Sequence, residues 1–490
     1  MTIRSACFRL SAPVALACAA WSTLPVLAND WTNTGGNARR NGLSSVLGPD
    51  AATLLWSRPE FSIIAWAPVS ADGRVYVIKE FGFPTNGGAA NDDVVAYDQE
   101  TGLQLWRRSL PFGGDTTRDW IAWIAGARDG KVYASRSGNG ASVSQVMYAL
   151  DGATGNTVWT SASPTAAGSY DGVVFAPDGD LVVADFRNIT RINSTDGSTV
   201  WRVPRLGSVS GNCGGAATDT AIFIVDASPM GNVIKKFDLE TGQFLYQSSP
   251  MAGFTTQNSP FLSPDGTSVY FARSQNNQPV DNFYAFTDTG TALVERWNRP
   301  VKWTTSHEHG IGPDGSIYTV IPGEAVGADD FVRLDPATGA VLNVAPAVLP
   351  PRPPPTAVNL SPKTAVDASG IVYLSNGWAS SPATNGRLWA FPADLSSVLF
   401  TLTLDRQNNG GPILTSNGAL VVADRQGVRA YKTNRCRADF NNDGQVDFFD
   451  YLDFSQAFAA EDPSADFNDD GQVDFFDYLD FAEAFGAGCD

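Results

Sequence analysis

One short pattern recurs along most of the chain. A strand of β-branched and aromatic residues ends in Asp, a Thr-Gly turn follows, and a second strand closes on Trp. It reads VVAYDQETGLQLW up to Trp106, VMYALDGATGNTVW up to Trp159 and ITRINSTDGSTVW up to Trp201. Looser copies, VIKKFDLETGQFLY and FVRLDPATGAVLN, end at Tyr246 and Asn343. Between them lie tighter hairpins on Asp72-Gly73, Asp129-Gly130, Asp178-Gly179, Asp265-Gly266 and Asp314-Gly315, with weaker versions near Asp219, Gly370 and Gly418. Gly after Asp is the residue that two-residue hairpin turns require. Eight inner hairpins at a spacing of roughly 45–55 residues predict a mainly β protein, an eight-bladed propeller of four-stranded antiparallel blades. The count falls to seven if one weak copy is only a loop. The 47 Gly, 30 Pro and only 17% charged residues suit short strands and many turns.

The last blade stops at GVRAYKT, ending at Thr433, without a closing Trp strand. An orphan strand of that kind, Leu54-Leu55-Trp56, lies near the N-terminus. Pairing it into the last blade would close the ring and remove its free edges.

The repeat resembles that of the pyrroloquinoline-quinone (quinoprotein-like) propellers: quinoprotein alcohol dehydrogenases and the outer-membrane assembly propeller lipoprotein. The opening DWTNTGGNARRNG from Asp30 is similar to the start of such proteins. The resemblance covers residues 30–433 and implies the fold more than an activity. It assigns Trp106, Trp159, Trp201 and Trp297 to packing between blades. The quinone enzymes carry adjacent cysteines over their cofactor, whereas here no two Cys lie closer than 11 residues. Pyrroloquinoline quinone is therefore not expected.

Aromatics outside the repeat, Trp66, Trp123, Tyr170, Phe254 and Trp303, are expected just before innermost strands. Those connections gather at one mouth of the central channel, where Trp66, Trp123, Trp303 and His307 form a candidate ligand site. His307 and His309 in TTSHEHG are read as a hydrogen-bonded loop pair in preference to a metal site. Cys213 is read as a buried small residue.

Both termini carry separate signals. Arg4 and Arg9, an apolar run from Leu10 to Leu27 and the small residues around Val26-Leu27-Ala28 read as a signal peptide over residues 1–28. Pro13, Ser22 and Pro25 make a poor membrane anchor, and no later segment is long and apolar enough to span a bilayer. The mature protein, with its propeller over 29–433, is thus expected to be exported, to the cell surface or the extracellular space, with the periplasm an alternative.

Residues 436–490 hold 15 acidic residues and one Arg, while the rest of the chain is nearly balanced at 36 acidic and 32 basic. That balance excludes a nucleic-acid partner held by a basic surface. Residues 439–458 and 466–485 match at 17 of 20 positions with a period of 27. Each has the oxygen-ligand spacing of a twelve-residue calcium loop. Asp439, Asn441, Asp443, Gln445 (through its carbonyl), Asp447 and Asp450 would hold one calcium, with Gly444 at the bend. Asp466, Asn468, Asp470, Gln472, Asp474 and Asp477 would hold a second. Duplicated loops of this form, each preceding a helix, resemble dockerins of the Gly-Cys-ending kind. The resemblance implies a protein partner, contacted through Phe448-Phe449 and Phe475-Phe476. Cys436 and Cys489 bracket the unit and are expected to form a disulfide, the competing use of Cys489 being attachment to another molecule. The resulting expectation is an exported, non-enzymatic propeller with an unidentified ligand at its mouth. The alternative is a quinone-dependent oxidoreductase, or another enzyme such as a lyase or hydrolase, working at that mouth.

Overall fold

The structure, a computed structural model, describes residues 30–488 apart from 63–64, 81–91, 111–120, 138–144, 165–171, 186, 207–213, 252–258, 273–279, 303–308, 323–328, 347, 350–359, 380–385, 406–408, 434–436, 442–444 and 469–471. The chain divides into two compact units, one over Ala28–Asn434 and one containing Arg435–Asp490.

The first unit is an eight-bladed β-propeller. Among the described residues thirty-two strands form eight four-stranded sheets. Blades 1 to 7 span residues 69–109, 121–160, 174–204, 215–247, 261–302, 310–344 and 360–404, each with its four strands in sequence order. Blade 8 takes three strands from 409–431 and its outermost from Leu54–Pro59. The register runs Trp56 against Ala430 and Arg58 against Val428. The orphan strand therefore closes the ring, and the count is eight.

The repeat motif explains how most blades grip the next. The Thr101 amide and hydroxyl donate to Asp98 Oδ1 at 2.9 and 2.8 Å, which shapes the turn and holds that carboxyl below the usual range. Gly102, at φ +64°, follows in the left-handed region. The Trp of the preceding blade lies against this glycine: a Cβ on Gly102 would come within 2.5 Å of the Trp56 ring, and one on Gly155 within 2.6 Å of Trp106. The indole N–H then donates to a carbonyl of the same turn, Trp56 to Gln99 at 2.8 Å and Trp106 to Gly152 at 2.8 Å. Trp159, Trp201 and Trp297 repeat the arrangement on Ser194, Leu239 and Pro336. Tyr246 replaces Trp in blade 4, and its hydroxyl donates instead to Asp288 Oδ1 at 2.5 Å.

A bulge aims each ring. The pairing of third and fourth strands slips by one residue beside Trp106, Trp159 and Trp201, and likewise in blades 4, 5 and 6. An extra residue on the outer strand turns the following side chain into the seam. The apolar residues among those skipped, Leu105, Val158, Val200, Leu245 and Leu342, are left facing solvent. These exposed apolar residues follow from the bulge.

Residues 31–48 form an element that the repeat does not announce. The Ser70 and Ala127 amides donate to Trp31 and Thr32 carbonyls, and Asn33 Nδ2 donates to the Val173 carbonyl. The amides of Ala217, Leu262, Ile311 and Val366 donate to Ala38, Arg39, Asn41 and Gly42 carbonyls. The band thus bonds in order to blades 1 through 7, beside the inner hairpin turns, before the chain leaves for blade 8. Arg40, buried, donates to the Gly215 and Gly172 carbonyls and ties blades 3 and 4 to the band. This end of the ring is occupied by the protein's own chain.

In the second unit, helix α1 (Phe448–Ala459) and helix α2 (Phe475–Ala487) pack through matched residues. Phe454 stacks on Phe481 with ring centroids 3.9 Å apart and planes 8° from parallel. The Tyr451 and Tyr478 hydroxyls meet at 3.1 Å. Phe440 lies 6.2 Å from Phe481, and its counterpart Phe467 lies 6.0 Å from Phe454. Each contact pairs with its partner 27 residues on, the reciprocity of a twofold axis. Among the described residues no helix is long and apolar enough to cross a membrane.

Candidate functional sites: the propeller mouth and the paired loops

The inner hairpin turns and the 31–48 band take one end of the ring, so the connections between blades emerge at the other. Of the four residues proposed for that mouth, Trp303 and His307 lie outside the described residues, as do Tyr170, Phe254 and Cys213. Trp66 stands before the first inner strand as expected and is half-buried; its indole N–H donates to Glu80 Oε1 at 2.8 Å. Trp123 differs. It falls within the inner strand Ile121–Arg128 and is 2% exposed, packed with Tyr133 and Trp159 in the seam next to blade 3. The strand begins two residues earlier than the position of Trp123 suggests, and the ring turns into the seam instead of preceding the strand. His309, the described member of the His pair, is 3% exposed and lies over Phe261 with centroids 4.9 Å apart. Its Nδ1 meets Thr319 Oγ1 at 3.0 Å, and burial pulls its pKa down to about 3. It is an uncharged packing residue.

Sequence reasoning missed the charged groups of this mouth. Glu80 ends the second strand of blade 1 and Asp92 starts the third, directly opposite in register. Arg136 of blade 2 donates to Asp92 Oδ2 at 2.9 Å, and all three residues are 1% exposed. Burial raises both carboxyls, that of Glu80 to about 8. The signal was present: Glu80 ends RVYVIKE and Arg136 stands one place from the end of KVYASRS, each two residues on from an apolar or small residue of the same face.

In the second unit the closing carboxylates of the two loops are fully buried. Asp450 Oδ1 accepts the Asn441 amide at 3.0 Å and Oδ2 the Asp447 amide at 2.8 Å. Asp477 accepts the Asn468 and Asp474 amides at 3.1 and 2.7 Å. Asp447 and Asp474 cap their helices by accepting the Phe449 and Phe476 amides, both at 2.8 Å. Each loop is thus folded back on its own twelfth residue. Asp439, Asn441, Gln445, Asp447 and Asp450 offer only oxygen donors, as do Asp466, Asn468, Gln472, Asp474 and Asp477, the chemistry a hard divalent cation takes. Asp443, Asp470, Cys436 and Cys489 lie outside the described residues. No cluster of three metal-ligating side chains occurs among the described ones. Phe448, Phe449, Phe475 and Phe476 are each more than 60% exposed, beside the half-exposed Leu452 and Leu479. The duplicated unit therefore presents two equivalent apolar patches.

Four-stranded blades locked by Trp on Thr-Gly turns and closed by an N-terminal strand define a propeller of the pyrroloquinoline-quinone repeat type. The chain belongs to the family described as outer membrane protein assembly factor BamB, whose model matches residues 90–345. Quinohemoprotein alcohol dehydrogenase from Comamonas testosteroni is similar in structure, with a TM-score of 0.55 and 14% identity over 83% of this chain and 81% of that one. The Dos1 propeller superposes with a TM-score of 0.50 at 12% identity, over 79% of this chain and 96% of its own. At such identities the likeness is one of fold. No curated protein sequence matches the chain.

Proposed function

We propose that this is an exported, non-enzymatic propeller that holds a ligand at its mouth and is attached to an extracellular or cell-surface protein by a calcium-dependent, dockerin-like module. The observation that carries the reading is the second unit. Two near-identical loops, each folded around a buried twelfth-position carboxylate, sit on a twofold pair of helices that leaves two Phe-Phe pairs in solvent. Four loop carboxylates brought together without a cation would repel one another, and calcium relieves that repulsion. Contiguous exposed Phe pairs are the kind of apolar patch that marks a protein-docking face. Membership of the BamB family agrees with a propeller that works through a protein partner. The leader over residues 1–28 supplies export, and a Cys436–Cys489 disulfide would staple the module. Non-reducing peptide mapping that finds the Cys489 peptide unlinked to Cys436 rules the staple out.

The attachment is tested by adding the full-length protein to the cells that produce it. Retention in calcium, release by chelator and loss of retention in Asp443→Ala with Asp470→Ala are expected. Retention that ignores both chelator and substitution contradicts the reading. The oxidoreductase alternative draws on the fold shared with quinohemoprotein alcohol dehydrogenase. Dye-linked alcohol oxidation by protein supplied with pyrroloquinoline quinone and calcium would favour it.

A further inference from the structure

Blades 1 and 2 meet along an apolar seam that includes Tyr76, Ile78, Val94 and Ala96 of one blade and Val132 and Ala134 of the other. Strand alternation carries the same faces on to Glu80, Asp92 and Arg136 at the mouth end. There the seam changes from apolar to charged while staying buried. One oxygen of each acid is engaged: Glu80 Oε1 by the Trp66 indole at 2.8 Å, and Asp92 Oδ2 by Arg136 at 2.9 Å and the Ala122 amide at 3.2 Å. The others, Glu80 Oε2 and Asp92 Oδ1, are buried and have no hydrogen-bond partner. Lys79 and Asp93 point to the opposite face, where Lys79 donates to the Glu60 carbonyl and Arg107 pairs with Glu60 and Asp93. Among the described residues Arg136 is thus the only buried cation on the face shared by the two acids.

Two carboxyls with one guanidinium leave a surplus of one negative charge in a buried place, and the unpartnered atoms are both acceptors. Asp226, a buried acid of blade 4, shows the satisfied case: Lys235 and the Leu206 amide donate to Oδ2, and the Ala227 amide donates to Oδ1. Native proteins seldom leave buried carboxylate oxygens unmatched without a use for them. We infer that the Glu80–Asp92 pair recognises one cationic group, a primary ammonium or a guanidinium, carried by the ligand at the propeller mouth. The inference rests on the reading of that mouth as the ligand face. A neutral polyol would satisfy the oxygens but leave the charge. A divalent metal wants six or more oxygens, far more than the two left over here. In the free protein a proton on Glu80 balances the charge. The bound cation replaces it, the carboxyl O–H breaks, and the proton passes to solvent.

Agmatine carries both candidate groups and serves as the probe, titrated calorimetrically into the full-length protein with calcium present, at pH 7 in two buffers of different ionisation enthalpy. Binding is expected, with release of up to about one proton. Glu80→Gln keeps a carbonyl acceptor for Trp66 and removes only the charge, so agmatine should bind about tenfold more weakly. Glu100→Gln, at an exposed turn, should leave binding unchanged, and circular dichroism checks that each variant is folded. The assignment is overturned if agmatine does not bind, if Glu80→Gln binds it as tightly as wild type, or if neutral 1,4-butanediol binds equally well. Calcium-dependent attachment is read on the same preparation. Its persistence alongside failed agmatine binding removes this site alone, whereas its loss removes the wider reading.

Discussion

The Trp-on-glycine contact explains why the repeat has the residues it has. Trp106 lies where any side chain on Gly155 would stand, and Gly155 also needs φ +70°. Trp106→Ala should cost about 3–5 kcal/mol in urea unfolding, the range for a large buried aromatic. Gly155→Ala, which adds one methyl, should also destabilise through both clash and backbone strain. Glu80 gives a test of opposite sign. Its carboxyl is raised by burial from 4.5 to about 8, so the unfolded chain ionises while the native state keeps the proton. Its contribution to stability is therefore present below pH 4.5 and is lost as pH rises towards 8. Glu80→Gln should have the higher melting temperature at pH 8.5, and the gap should narrow by pH 5. A variant that melts below wild type across the whole range would refute the assignment. Among single residues, those in the motif were legible because spacing ties them to a turn. Trp123 was not, because whether an aromatic faces the mouth or a seam depends on where the strand begins.

Hairpins and blades were readable because their bonds are local and their turns punctuated. Asp-Gly and Thr-Gly mark both ends of each unit, and strand alternation does the rest. Ring closure by Leu54–Pro59 was readable too, since a missing strand and a spare strand have the same pattern. The 31–48 band was not. Its partners lie as far away as 140 residues for Asn33 with Val173 and 319 for Gly48 with Asp367, and nothing periodic marks them. Its Gly and Asn content reads as loop, yet a Cβ on Gly42 would stand only 2.8 Å from the Thr364 carbonyl oxygen. The band should contribute to ring stability, because inner-strand groups that it satisfies have no water to turn to. Arg40→Ala strands the Gly172 and Gly215 carbonyls and should cost about 1–3 kcal/mol for each, measured by chemical denaturation. A loss within error of zero would mean that the band is ornamental to folding.

The whole chain combines a large ring whose stability comes from eight repeated seams with a small unit whose core is two helices and a set of stacked Phe and Tyr rings. The ring's seams are packed side chains. The 55-residue unit has a thin core and gathers its acids in two loops, so calcium should be part of its folding. Sequence spacing displayed these loops more plainly than any other chemistry, since their oxygen-bearing residues recur along the chain itself. The mouth is assembled from strand ends of different blades, and no local spacing reports it. Calorimetric titration of calcium into the chelator-treated full-length protein tests the account most directly. Two ions per chain are expected, with helical signal rising as they bind, and neither in Asp443→Ala with Asp470→Ala, whose propeller stays folded. Wild-type protein that takes up no calcium, or a double variant that still binds two ions, would contradict it.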